Sequence, residues 1–75
     1  MCITEKIVRI AAQLHIMPQT YDDLYKRQEN ISNYSFYLLF RQAVSKKYIW
    51  QRSDGVWFCY KRTIPILKKY DYYTE

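Results

Sequence analysis

Glycine is almost absent from this 75-residue chain: Gly55 is its only one. A single glycine rules out a glycine-rich phosphate loop, whose tight backbone approach needs several. There are two cysteines, Cys2 and Cys59. They allow one disulfide, whereas a secreted chain this small usually carries more. His15 is the sole histidine, and with two distant cysteines it makes no zinc-type spacing. No apolar run approaches the ~18 residues of a membrane span, and the first residues reach charge at once, unlike a secretion signal. A soluble, cytoplasmic protein is expected. Asp22 and Asp23 are adjacent acids, but neighbours on a helix point different ways and no base or nucleophile accompanies them. No enzyme and no cofactor are expected.

What the chain has is aromatic surface and a local excess of positive charge. Aromatic residues make up 19% of it, nine of them tyrosines, and hydrophobic residues 49%, which argues for a packed core rather than disorder. One domain is the only sensible count at this length. The net charge is +5, and it is unevenly placed. Between Arg41 and Lys69 eight basic residues face the single acid Asp54, while residues 1–40 are balanced and Asp71 and Glu75 close the tail. Such a concentrated field attracts polyanions and steers them in.

Ile3, Ile7, Ile10, Ala11 and Leu14 fall within a narrow arc at helical spacing, which predicts an amphipathic first helix ended by Pro18. Thr20, with Asp23 three residues on, is a capping signature for a short second helix that buries Tyr21, Leu24 and Tyr25. Asn30 is a candidate left-handed stop and Ser32 a further cap. From Asn33 to about Lys46, Phe36, Leu39, Phe40, Ala43 and Val44 line the packed face of a third helix. Tyr34, Leu38, Arg41, Gln42 and Ser45 line the opposite face, with Tyr37 at its edge.

Two aromatic and β-branched runs, Tyr48 to Arg52 and Val56 to Tyr60, flank Asp54-Gly55, a strong signal for a hairpin with a two-residue turn. The register expected from that turn pairs Trp50 with Cys59 and Arg52 with Trp57 on one face. Gln51 then meets Phe58, and Ile49 meets Tyr60, on the other. Both tryptophans are expected to pack within the hairpin rather than stack on bases. Thr63 is expected to cap a short last helix with Pro65 in its first turn and Ile64, Leu67 and Tyr70 as its stripe. His15 is placed at the end of the first helix, where a cation is favoured.

This order of three helices and a hairpin over residues 3–62 resembles the winged helix-turn-helix, an α+β DNA-binding fold. Tyr37-Leu38-Leu39, Gln51-Arg52-Ser53 and Trp57-Phe58 resemble the PapI/FaeA-type pilus-operon regulators. Those proteins carry a glycine between the third helix and the wing, where this chain has Lys47-Tyr48. The resemblance implies a small transcriptional regulator that places its third helix in the major groove of double-stranded DNA. Arg41 and Gln42 would read bases, since both make bidentate contacts. Asn33, Tyr34, Ser35 and Tyr37 would contact phosphate or base edges, and Arg52 and Ser53 would touch the backbone from the wing tip. Lys46, Lys47, Lys61 and Arg62 would neutralise phosphates. A homodimer through the C-terminal helix is a further expectation, and the composition suits a phage or other mobile element. The competing expectation keeps the same scaffold but binds a protein through Tyr34, Tyr37 and Leu38, as an inhibitor of a host nucleic-acid machine would.

Overall fold

A computed structural model describes residues 2–73. Glu75, counted above in the acidic tail, lies outside them. The chain is α+β, with α1 (Ile3–Ile16), α2 (Tyr21–Lys26), α3 (Asn33–Ser45), β1 (Ile49–Gln51), β2 (Trp57–Cys59), a 3-10 turn (Lys61–Thr63) and α4 (Ile64–Lys69). The two strands form one antiparallel hairpin, and the arrangement is compatible with a winged helix. Among the described residues no helix is long and apolar enough to cross a membrane.

α1 is the central post. It packs against α3, β2 and α4, and its buried stripe is Ile7, Val8, Ile10, Ala11, Ala12 and Leu14. Ile3, expected on that stripe, is instead 63% exposed. Ile3 is the first residue of α1 and borders an open groove between α1 and α3 rather than the core. The local caps form as the sequence implies. Thr20 Oγ1 accepts from the Asp23 amide at 3.2 Å, and Ser32 Oγ accepts from the Ser35 amide at 3.1 Å. Each satisfies an amide that the first turn leaves without a helical partner. Asn30 is left-handed at φ 56°, although α2 has already ended at Lys26. There Gln28 Nε2 donates to the Leu24 carbonyl at 2.8 Å and to Gln13 Oε1 at 2.7 Å, tying the end of α2 to α1.

α3 buries Phe36, Phe40 and Ala43 and half-buries Leu39. Val44, assigned to the same face from its spacing, is exposed. Near the helix end the packed arc narrows, because the chain turns away at once. Lys47 takes φ 59° there. Its amide reaches the Val44 carbonyl at 3.0 Å, and the Tyr48 amide reaches Ala43 at 3.0 Å. These two bonds form a Schellman ending, which normally favours glycine at the left-handed position. Lysine holds that place here.

The hairpin register differs from the expected one by a single residue. Ile49 pairs with Cys59, Trp50 with Phe58 and Gln51 with Trp57. The cause is the loop. Arg52 donates to Val56 at 2.8 Å, the Gly55 amide donates to Arg52 at 3.0 Å, and among the loop residues only Gly55 has positive φ, at 92°. Ser53, Asp54 and Gly55 are therefore a three-residue loop with glycine in the left-handed place, not a two-residue turn centred on Asp-Gly. A one-residue slip exchanges faces. Ile49, Gln51, Trp57 and Cys59 now share the inner face, and Trp50, Arg52, Phe58 and Tyr60 the outer.

Thr63 is fully buried and makes no side-chain cap. Its hydroxyl instead donates to the Tyr48 carbonyl at 2.9 Å, joining the end of the hairpin to its start. Leu67 is buried, with Ile66, Tyr70, Tyr72 and Tyr73 packed against the same core. His15, in the last turn of α1, stacks on Tyr73 with ring centroids 5.3 Å apart.

Candidate nucleic-acid interface

Two aromatic contacts lock the third helix in place. The ring of Phe40 meets Tyr21 of α2 edge-on at 4.9 Å and Trp57 of β2 edge-on at 4.9 Å. Perpendicular rings at this spacing set the electropositive edge of one against the electron-rich face of the other. Phe40 is thus gripped between α2 and the hairpin. On the buried side of α2, Tyr25 adds a tilted contact with Phe36 at 5.6 Å. The Tyr21 hydroxyl donates to Asn33 Oδ1 at 2.9 Å. Burial, with added repulsion from Tyr25, Asp22 and Tyr37, pushes the Tyr21 phenol above its ordinary pKa.

Gln19 fixes the hairpin to the segment between α1 and α2. Its carbonyl accepts from the Trp57 amide at 2.8 Å. Its side chain donates to the Met17 carbonyl at 3.0 Å and accepts from Arg27 Nε at 2.9 Å. The side chain is nearly fully buried, and every polar group it carries is satisfied. Sequence reasoning passed over Gln19 entirely. Its only local signal is a glutamine after Pro18, and the partner that ties it to the hairpin, Trp57, lies far along the chain.

All twelve residues singled out in the sequence are exposed: Asn33, Tyr34, Ser35, Tyr37, Arg41, Gln42, Lys46, Lys47, Arg52, Ser53, Lys61 and Arg62. They do not form one line. Arg41 lies over the ring of Tyr37 at 5.8 Å. Gln42 follows Arg41 but is rotated by about 100° around the helix axis. With Ser35, Leu38 and Leu39 it lines an open groove of about 940 Å³ shared with Ile3 and Lys6 of α1. The outward side of α3 therefore presents Tyr34, Tyr37 and Arg41 as one strip and Gln42 as its far edge.

The basic residues divide in the same way. Arg62 donates from Nε and Nη2 to the Lys47 carbonyl at 3.3 and 3.2 Å, and its guanidinium lies 4.8 Å from the Tyr60 ring centroid. This draws Lys47 and Arg62 together at the C-terminal end of α3, where the helix dipole also favours cations. Arg52, at the hairpin loop, is bound to Asp54: Nε and Nη2 reach Oδ2 at 3.0 and 2.6 Å. That hydrogen bond raises the Arg52 pKa and, with the Val56 amide, lowers that of Asp54. The loop tip is thereby close to neutral, and the free positive charge sits at the base of the hairpin.

Burial raises the pKa of the Cys59 thiol, which points at the Tyr60 carbonyl 3.4 Å away. A thiol kept protonated is a poor nucleophile. Among the described residues no three His, Cys, Asp or Glu side chains gather as metal ligands. The chain matches no family model, no curated protein and no solved structure.

Proposed function

We propose that the chain is a small winged-helix DNA-binding regulator, with α3 entering the major groove and the hairpin lying along the phosphate backbone as a wing. The observation that carries this reading is the exposure of Arg41 on the outward strip of α3, one residue after a phenylalanine clamped between α2 and the hairpin. The clamp makes the helix and hairpin a single rigid surface, and a major groove admits one helix. Arg41 reads a base edge, Tyr34 and Tyr37 bracket it, and Lys46, Lys47, Lys61 and Arg62 neutralise phosphates. Gln42 meets bases only at the margin of the contact.

The test is a titration of labelled random duplex at about 50 and 200 mM salt, where release of counterions makes affinity fall steeply. Arg41→Ala relaxes preference on a selected sequence, and Lys61→Ala weakens all sequences alike. Duplex affinity that is absent, or indifferent to salt, overturns the reading.

A second reading rests on a separate observation. Tyr34 is 72% exposed, and Tyr37 and Leu38 lie exposed beside it. Large apolar groups held open to water mark partner surfaces. On this reading the same face binds a protein, and the complex tolerates salt and is lost on Tyr34→Ala or Leu38→Ala. A homodimer through α4 belongs to the first reading. Because Leu67, Ile66 and Tyr70 already pack on the chain's own core, its contact falls to the outer residues of α4, and sedimentation equilibrium reads it directly.

A further inference from the structure

The outer face of the hairpin carries a row of aromatic side chains, Phe58, Trp50 and Tyr60, that the major-groove reading does not use. Trp50 and Phe58, directly paired across the strands, stack at 4.9 Å with their planes 18° apart. The Arg52 guanidinium lies over Phe58 at 4.9 Å. On the other side Tyr60 stands 6.4 Å from Trp50, tilted by 44°, with Arg62 over its ring at 4.8 Å. The row thus runs arginine, phenylalanine, tryptophan, tyrosine, arginine. Phe58 is stacked on by Trp50 and overlain by Arg52. Trp50 is less enclosed: beyond its stack on Phe58 it has only the tilted contact with Tyr60, and 37% of its surface stays in water. The core gains nothing from this arrangement, because the opposite face of the same strands supplies Ile49, Trp57 and Cys59 to it.

We propose that this face is a stacking platform for an unpaired nucleobase, with Trp50 as the ring on which the base sits. Any base has a π-face, so aromatic stacking is tolerant of sequence, and the cations at the base of the hairpin beside the platform hold the strand's phosphates. The partner is a single strand of nucleic acid, argued from the open indole together with the positive charge gathered at the base of the hairpin by Lys61, Arg62 and Lys47. A strand seated there runs beside the duplex assigned to α3, so the protein favours a junction of paired and unpaired DNA over blunt duplex. Trp50, expected from sequence to be packing, becomes a binding residue because the register slip turns it outward.

The experiment compares four labelled probes: blunt duplex, the same duplex with an unpaired thymidine tail, oligothymidylate and oligouridylate. The tail is expected to tighten binding about tenfold. Trp50→Ala abolishes that gain and leaves the blunt duplex unchanged, while Trp50→Phe keeps most of it and shows that the fold is intact. Oligothymidylate quenches indole fluorescence in the native protein but not in Trp50→Ala, where Trp57 still reports. Comparing the two homopolymers states whether the strand is DNA or RNA. A tail without effect, or a Trp50→Ala loss equal on tailed and blunt duplex, overturns the proposal. Binding of oligothymidylate through Trp50 with no affinity for blunt duplex upholds the platform and overturns the major-groove reading instead.

Discussion

Asp54 shows how much one exposed side chain decides. Its Oδ1 accepts from the Val56 amide at 3.1 Å and holds the loop, while Oδ2 takes the Arg52 guanidinium. Asp54→Asn keeps the first bond and removes the charge that occupies Arg52. The released guanidinium is expected to raise duplex affinity severalfold and to steepen the salt dependence by about one counterion, read by anisotropy titration. The same pair has a pH signature. The folded pKa of Asp54 lies below its unfolded value, so its contribution to stability is present above the unfolded pKa and is lost as pH falls through the folded one. In an Arg52→Gln variant the NMR titration midpoint of Asp54 moves up, toward the ordinary carboxylate range of about 3.9. An unmoved midpoint means the pairing has no weight in solution.

Among the elements, the junction of α3 and β1 is the most informative. Lys47 occupies a left-handed conformation that costs a residue with a Cβ about 1 kcal/mol. Lys47→Gly removes this strain without disturbing the bonds from residues 47 and 48 to Val44 and Ala43. It is expected to raise the melting temperature by about 5 °C and to weaken duplex binding, since one phosphate partner is gone. Calorimetry and titration then move in opposite senses, which a general loosening of the fold does not produce. At the far end of the hairpin, Thr63→Val keeps the shape but deletes the bond to Tyr48. A loss of about 1 kcal/mol in urea unfolding is expected. A neutral result assigns that carbonyl entirely to the Tyr60 amide, which also reaches it at 3.0 Å.

For the molecule as a whole, stability rests on one small core around α1. Chains of this size are marginally stable. Phe36 is fully buried and touches Tyr21, Tyr25 and Phe40. Phe36→Ala is expected to cost about 3–5 kcal/mol, a large share of what a domain this small has. Its urea midpoint should collapse, and nucleic-acid binding should be lost together with the fold. Leu38→Ala, on the open side of the same helix, should leave the midpoint near its native value.

The helices, the caps of α2 and α3 and the outward placement of Arg41 and its neighbours are legible in the sequence, because each depends on residues within a turn or two, whereas the cap expected of Thr63 does not form. Thr20 with Asp23 and Ser32 with Ser35 settle their bonds locally, and the apolar spacing of α1 and α3 selects the packed side whatever it packs against. Three features came only with the third dimension: the slip of the hairpin register, the clamp on Phe40 and the bond from Thr63 to Tyr48. Each joins groups far apart along the chain or turns on one loop residue more or less. Loop length cannot be weighed from Asp54-Gly55 alone, since the same pair serves a two-residue or a three-residue connection. It is the packing of Ile49 and Trp57 on α1 and α3 that selects one, and that choice puts Trp50 in the solvent.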